Sequence, residues 1–97
     1  MSRYILDTEH VTLFQHNHPE VARRARTVGG SNIFVTTVTL DDAAYNCYQS
    51  LRQQQIRIGT QDLRIAAIAL ANQVVVVTRN QQDFIKIPDL AVEDWTV

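Results

Sequence analysis

The run Val74-Val75-Val76-Val77-Thr78 restricts the folding of this chain more than any other feature. Five consecutive β-branched residues favour a strand over a helix. A strand that is apolar at every position, rather than at alternate ones, has no face to give to water. It belongs at the centre of a parallel sheet covered on both sides. The preceding segment supplies one cover: Leu63, Ile65, Ala66, Ala67, Ile68, Ala69, Leu70 and Ala71 are apolar on nearly every side of a helix, and the alanines allow close approach to a sheet. Thr60 is the expected cap of that helix.

The remaining pattern extends the same architecture. Residues 3–6 read as a short strand, and Asp7-Thr8 as the start of a helix with apolar Val11, Leu13 and Phe14, running to about Gln15. Pro19 opens a second helix bearing Val21, Ala22, Ala25 and Val28, which Gly29-Gly30-Ser31-Asn32 stops. Residues 33–39 form a β run. Thr39 and Asp42 then stand at capping-box spacing before a helix carrying Ala43, Ala44, Cys47, Tyr48 and Leu51. Asn80 starts a helical turn, Pro88 ends it, and residues 90–92 with Trp95 suggest a last, edge strand. This order predicts an α/β fold with a mainly parallel sheet of about four strands and helices on both faces. Right-handed crossovers place the first strand between residues 33–39 and 74–78. The carboxyl ends of those central strands are then a topological switch point, where ligands of open α/β sheets collect.

Size and charge narrow the class. The 97 residues suffice for a single domain, 1–97, with one core. Nine basic residues against ten acidic give a net charge of −1, so a nucleic-acid contact would need a local patch rather than a global field. The apolar stretch 65–71 is far too short to cross a membrane, and Asp7, Glu9 and His10 interrupt any secretory leader. With Cys47 as the single cysteine, no internal disulfide is possible, and a reducing cytoplasm is the expected home.

Three carboxylates are placed at the switch point: Asp7 after the first strand, Asp62 at the start of the apolar helix, and Asp83 just past the valine run. Mg2+ and Mn2+ favour such oxygen ligands, and a bound cation can polarise a phosphodiester and acidify an attacking water. Each acid also has a purely structural reading. Asp7 suits an N-cap, Asp62 a first-turn partner of the helix dipole, and Asp83 the third position of a capping box begun by Asn80.

Leu6-Asp7-Thr8, then Gly59-Thr60-Gln61-Asp62-Leu63-Arg64-Ile65-Ala66-Ala67, then Val77-Thr78-Arg79-Asn80-Gln81-Gln82-Asp83-Phe84, resemble the PIN-domain family, and within it the VapC-like toxins. The ending Leu90-Ala91-Val92-Glu93-Asp94-Trp95 is similar too. The resemblance implies a metal-dependent endoribonuclease, the toxin half of a toxin–antitoxin pair. It implies Asp7, Asp62 and Asp83 as ligands of Mg2+ or Mn2+, with Thr78, Arg79 and Asn80 on the substrate side. The chain departs from the family in one respect. The family's second acid, a Glu on a helix after the second strand, has no counterpart, because Thr39-Leu40 runs straight into Asp41-Asp42-Ala43. The resemblance thus implies an internal deletion of several dozen residues there. Asp41, Asp42 and Glu9 are the available stand-ins, although helix-start and surface roles suit them better. Weak metal binding and slow cleavage are therefore expected; the alternative is a silent remnant acting as a dimerisation or antitoxin-binding module.

Other residues read more plainly. His10, His16 and His18 lack ligand spacing and are expected at the surface. Arg23, Arg24 and Arg26 suit either RNA phosphates or a solvated helix face, and Cys47 is a core thiol. Tyr45, Tyr48 and Trp95 read as core or interface residues. The uncharged, proline-free strand at 33–39 would be left as an open edge, so a homodimer is expected through it.

Overall fold

The computed structural model of the chain describes residues 3–35 and 41–97, with the side chains of residues 34 and 35 outside that description. Strand β1 (Tyr4–Leu6) leads into helices α1 (Thr8–Gln15) and α2 (Pro19–Val28). A 3-10 turn at Gly30–Asn32 precedes β2 (Ile33–Val35), and α3 (Asp42–Gln53) and α4 (Thr60–Asn72) follow. Strand β3 (Val75–Val77), the short α5 (Gln81–Phe84) and the two-residue β4 (Val92–Glu93) complete the order. The sheet is β2-β1-β3-β4 with every pairing parallel, Ile5 standing opposite both Phe34 and Val76. The predicted α/β class and the central place of the first strand are borne out. Of the expected strand at 33–39, Ile33–Val35 is observed and the rest lies outside the described residues.

Alternation along the central strands explains the layering. Ile5 and Val76 bury into one core with Leu51, Leu63, Ala66, Ala67 and Phe84, beneath α3 and α4. Leu6 and Val77 point the other way, into a second core with Val21, Ala25 and Trp95. Adjacent residues of a strand face opposite sides, so an unbroken valine run can feed both layers. The fully buried Ala66, Ala67 and Ala69 let α4 lie close on the sheet, as their small volume requires.

Two helix starts differ from expectation. Gly59, in extended backbone, holds the N-cap place of α4 and its carbonyl accepts the Leu63 N–H at 2.9 Å. Thr60 is therefore the first helical residue rather than the cap. Helix α3 is capped by Asp41, whose Oδ1 accepts the Ala44 N–H at 2.8 Å. Asp41 thus occupies the position that a Thr39–Asp42 capping box would need, and Thr39 lies outside the described residues.

That bond gives Asp41 a structural task. Asp41→Ala should cost about 1 kcal/mol of stability, the usual worth of such a cap, as read from the urea midpoint. The same variant should leave divalent-cation affinity and RNA cleavage unchanged; a large loss of either would make Asp41 the stand-in acid instead.

Candidate acidic site at the carboxyl end of the sheet

Strand β1 delivers Asp7 to the sheet edge. Its backbone N–H still bonds to the Val77 carbonyl at 3.1 Å, while its side chain caps α1. Oδ1 accepts the His10 backbone N–H at 2.8 Å and lies 3.2 Å from the His10 ring Nδ1. Oδ2 accepts the Thr78 hydroxyl at 2.6 Å. Thr78 is itself anchored, since its N–H donates to the Glu93 carbonyl at 2.8 Å. The same hydroxyl oxygen accepts the Asn80 N–H at 2.9 Å. From there the Asn80 amide nitrogen donates to Asp62 Oδ2 at 3.2 Å and to Asp83 Oδ2 at 3.0 Å. Only an NH2 can face two carboxylates, so these partners decide the orientation of the amide.

One connected network thus runs Asp7–Thr78–Asn80 and forks to Asp62 and Asp83. The three sequence-predicted acids meet in it, with two of the three predicted flanking residues as its links. Asn80 sits at the N-cap of α5, but its side chain makes no cap bond; its NH2 is instead directed at the acids. This replaces the capping box that Asn80 and Asp83 suggest in sequence. Arg79 stands at the rim, where Nη1 is 3.1 Å from Glu9 Oε1 and both side chains are exposed. Glu9 and Asp41 are thereby engaged elsewhere.

The local charges are tuned in opposite directions. Burial opposes the charge on Asp7, whose side chain is 13% exposed. The His10 and Thr78 hydrogen bonds outweigh that burial and hold the carboxyl below the usual carboxylate range. Asp62 is pushed up, first by burial and then by repulsion from Asp7 and Asp83, with the Asn80 bond offsetting only part. The hydrogen bonds through Thr78 and Asn80 gather the three acids in one small region, where their charges repel.

The donor set is all oxygen, which suits a hard divalent cation and not zinc. Among the described residues, no three His, Cys, Asp or Glu side chains stand together in metal-ligand geometry. Asp62 and Asp83 converge directly on one amide, and Asp7 approaches from the far side of Thr78. Mg2+ typically takes one or two carboxylates and keeps several waters, so this arrangement fits a hydrated ion.

His10 is the residue that the sequence reading misses. Expected at the surface, it is fully buried, with both ring nitrogens engaged. The signal was its place three residues after the Asp7 cap, on the face of α1 turned to the sheet. His16 is exposed, and His18 caps α2 through its ring nitrogen at 3.4 Å from the Val21 N–H. Arg23 pairs with Glu20 at 2.8 Å, and Arg26 is exposed, as on a solvated helix face. Cys47 and Tyr48 pack half-buried on the first core, Trp95 is buried in the second, and Tyr45 is exposed.

No family model matches the chain. It is 35% identical over 71 residues to ribonuclease VapC2 of Rickettsia felis, covering 66% of this chain and 53% of that protein. The chain thus spans about half the length of that relative. It is 25% identical to the tRNA(fMet)-specific endonuclease VapC of Salmonella typhimurium across 131 aligned positions, 98% of this chain and 99% of the relative. An end-to-end alignment of that length leaves more than thirty positions of the relative without a counterpart among 97 residues, as the expected shortening requires. The crystal structure of DNA-bound VapBC from Salmonella typhimurium contains a chain matching 98% of this one, with a TM-score of 0.81 and 23% identity. The chain is VapC-like in sequence and in fold.

The two tuned acids should reveal themselves in stability. Asp7 binds its proton less tightly in the folded protein than its ordinary value of 3.8 implies, so its contribution is complete above that value and drains as pH falls through the folded one. Asp62 holds its proton more tightly when folded, so stability declines as pH rises from 3.8 through the raised value. At pH 7, Asp7→Asn should destabilise by about 1–3 kcal/mol through its mispaired donors. Asp62→Asn should be neutral or stabilising. Urea midpoints at pH 7 and pH 4 check both signs.

Proposed function

We propose that this VapC-like chain is a Mg2+- or Mn2+-dependent endoribonuclease of the toxin–antitoxin type, built on one domain over residues 1–97. The network joining Asp7, Thr78, Asn80, Asp62 and Asp83 carries this reading. Asp7, Asp62 and Asp83 are the cation's ligands; bound there, the ion would polarise a phosphodiester and lower the pKa of an attacking water. Thr78 is wholly buried, and its role is to hold Asp7 and the Asn80 backbone in register. Asn80 keeps Asp62 and Asp83 facing each other across its amide. Arg79, exposed beside them, offers a planar guanidinium to a backbone phosphate. An antitoxin protein and a second copy of the chain are the proposed protein partners. The first rests on the relatives' VapBC assemblies, the second on β2 standing at the edge of the sheet.

Activity should be low. In-line attack needs cation, water and phosphate in register, and a ligand set lacking the family's second acid holds them loosely. Calorimetry should show weak Mn2+ binding that Asp7→Asn or Asp62→Asn abolishes. Purified protein should cut RNA, tested on transfer RNA and on an unstructured strand, in an Asp62-dependent way but orders of magnitude more slowly than a relative bearing all four acids. Equal Mn2+ binding by wild type and both variants would sink the site. Light scattering should give a dimer mass; a monomer at high micromolar concentration would remove the second copy.

A further inference from the structure

One of the two fully buried polar side chains beside the acids takes no part in the scheme above. His10, on α1, is fully buried, and a buried polar ring must satisfy both nitrogens. Nε2 lies 3.2 Å from the Trp95 backbone nitrogen. A backbone N–H can only donate, so Nε2 accepts, and the ring proton of the neutral imidazole sits on Nδ1. Nδ1 faces Asp7 Oδ1 at 3.2 Å, beside the His10 backbone N–H on the same oxygen at 2.8 Å. Asp94 Oδ1 is 3.6 Å from Nε2 but is already taken by the Thr96 N–H at 2.8 Å and hydroxyl at 2.6 Å. The Trp95 segment is rigidly seated, its indole buried against Tyr4 and its Nε1–H on Glu93 Oε1 at 3.1 Å.

We infer that His10, as the Nδ1–H tautomer, is a positioning residue that ties one oxygen of Asp7 to the segment after β4. Oδ1 is consumed by His10, and Oδ2, sharing one lone pair with Thr78, keeps the other for the acidic site. The Trp95 N–H, by occupying Nε2, selects the tautomer, and the Nδ1–H so placed is what holds the first acid. Outer partners of this kind typically govern 10–100-fold in metal affinity.

The inference rests on the proposed role of Asp7, and the test separates the two. In metal-free protein at pH 7.5, long-range 15N–1H correlation should report the Nδ1–H neutral tautomer for His10; an Nε2–H tautomer overturns the proposal. Mn2+ titration then compares two variants. Asn at position 10 can keep the donor to Asp7, whereas Gln can only replace the acceptor for Trp95. His10→Gln should weaken Mn2+ affinity 10–100-fold, while His10→Asn should stay within about threefold of wild type, on the same principle that the Asp7 donor is retained. Equal losses in both, or losses that follow urea stability, reduce His10 to packing and overturn the proposal. If Asp7→Asn binds Mn2+ as well as wild type, it is the metal-site reading that fails, and the tautomer measurement alone decides His10.

Discussion

A carboxylate mostly withdrawn from water needs hydrogen-bond donors, and the site is organised around supplying them to Asp7. Three donors reach it, from the His10 backbone, the His10 ring and the Thr78 hydroxyl. Each comes from a different part of the fold's logic. The first exists because Asp7 caps α1, and the second because α1 turns its residue at position 10 inward. The third exists because β3 runs parallel to β1 in a register that sets Val77 opposite Leu6, so the next residues, Asp7 and Thr78, meet at the edge. A shift of one residue in that register would send Thr78 to the opposite face of the sheet.

Once Asp7 is held charged, the rest of the site inherits its field. Asp62 and Asp83 approach the same region, and Asp62 answers with a raised proton affinity. The Asn80 amide partly relieves the conflict by donating to both. A neutral amide does weakly what a divalent cation would do strongly, which is why an acidic cluster held by one side-chain NH2 suits cation binding. The residual repulsion is a cost that folding bears in order to keep the site, as functional sites commonly require.

The shortening relative to the Salmonella protein is tolerable for a physical reason. Strand β2 lies at the margin of the sheet, whereas both cores are closed around β1 and β3 by α2, α3, α4 and the Trp95 segment. Loss of material beside such an edge strand would uncover that edge and leave the central burial intact. On the proposed reading, its consequence would fall on chemistry, through the absence of the family's second acid, more than on the layers themselves.

What was legible in the sequence was whatever depends on neighbours along the chain. The valine run, the all-round apolar α4 and the start signals at Asp7 and Pro19 encode burial and helix entry locally, so they determined a parallel α/β sheet with Asp7, Asp62 and Asp83 at one end. Capping was less legible at α4 and α3, because Thr60 and Thr39 match the preferred residue types while the backbone chose Gly59 and Asp41. The burial of His10 left only a local signal, its place three residues after the Asp7 cap, and which atoms the ring meets could not be read at all. The decisive contacts join residues far apart: Thr78 to Asp7 across 71 positions, Trp95 to His10 across 85, and Asn80 to Asp62 across 18. Periodicity reports which face of an element turns inward, but it carries no information on what another element will place opposite. The sequence by itself determined which acids gather at the sheet edge. Only the tertiary structure, by setting strand register and the seat of the C-terminal segment, decided how each oxygen is held.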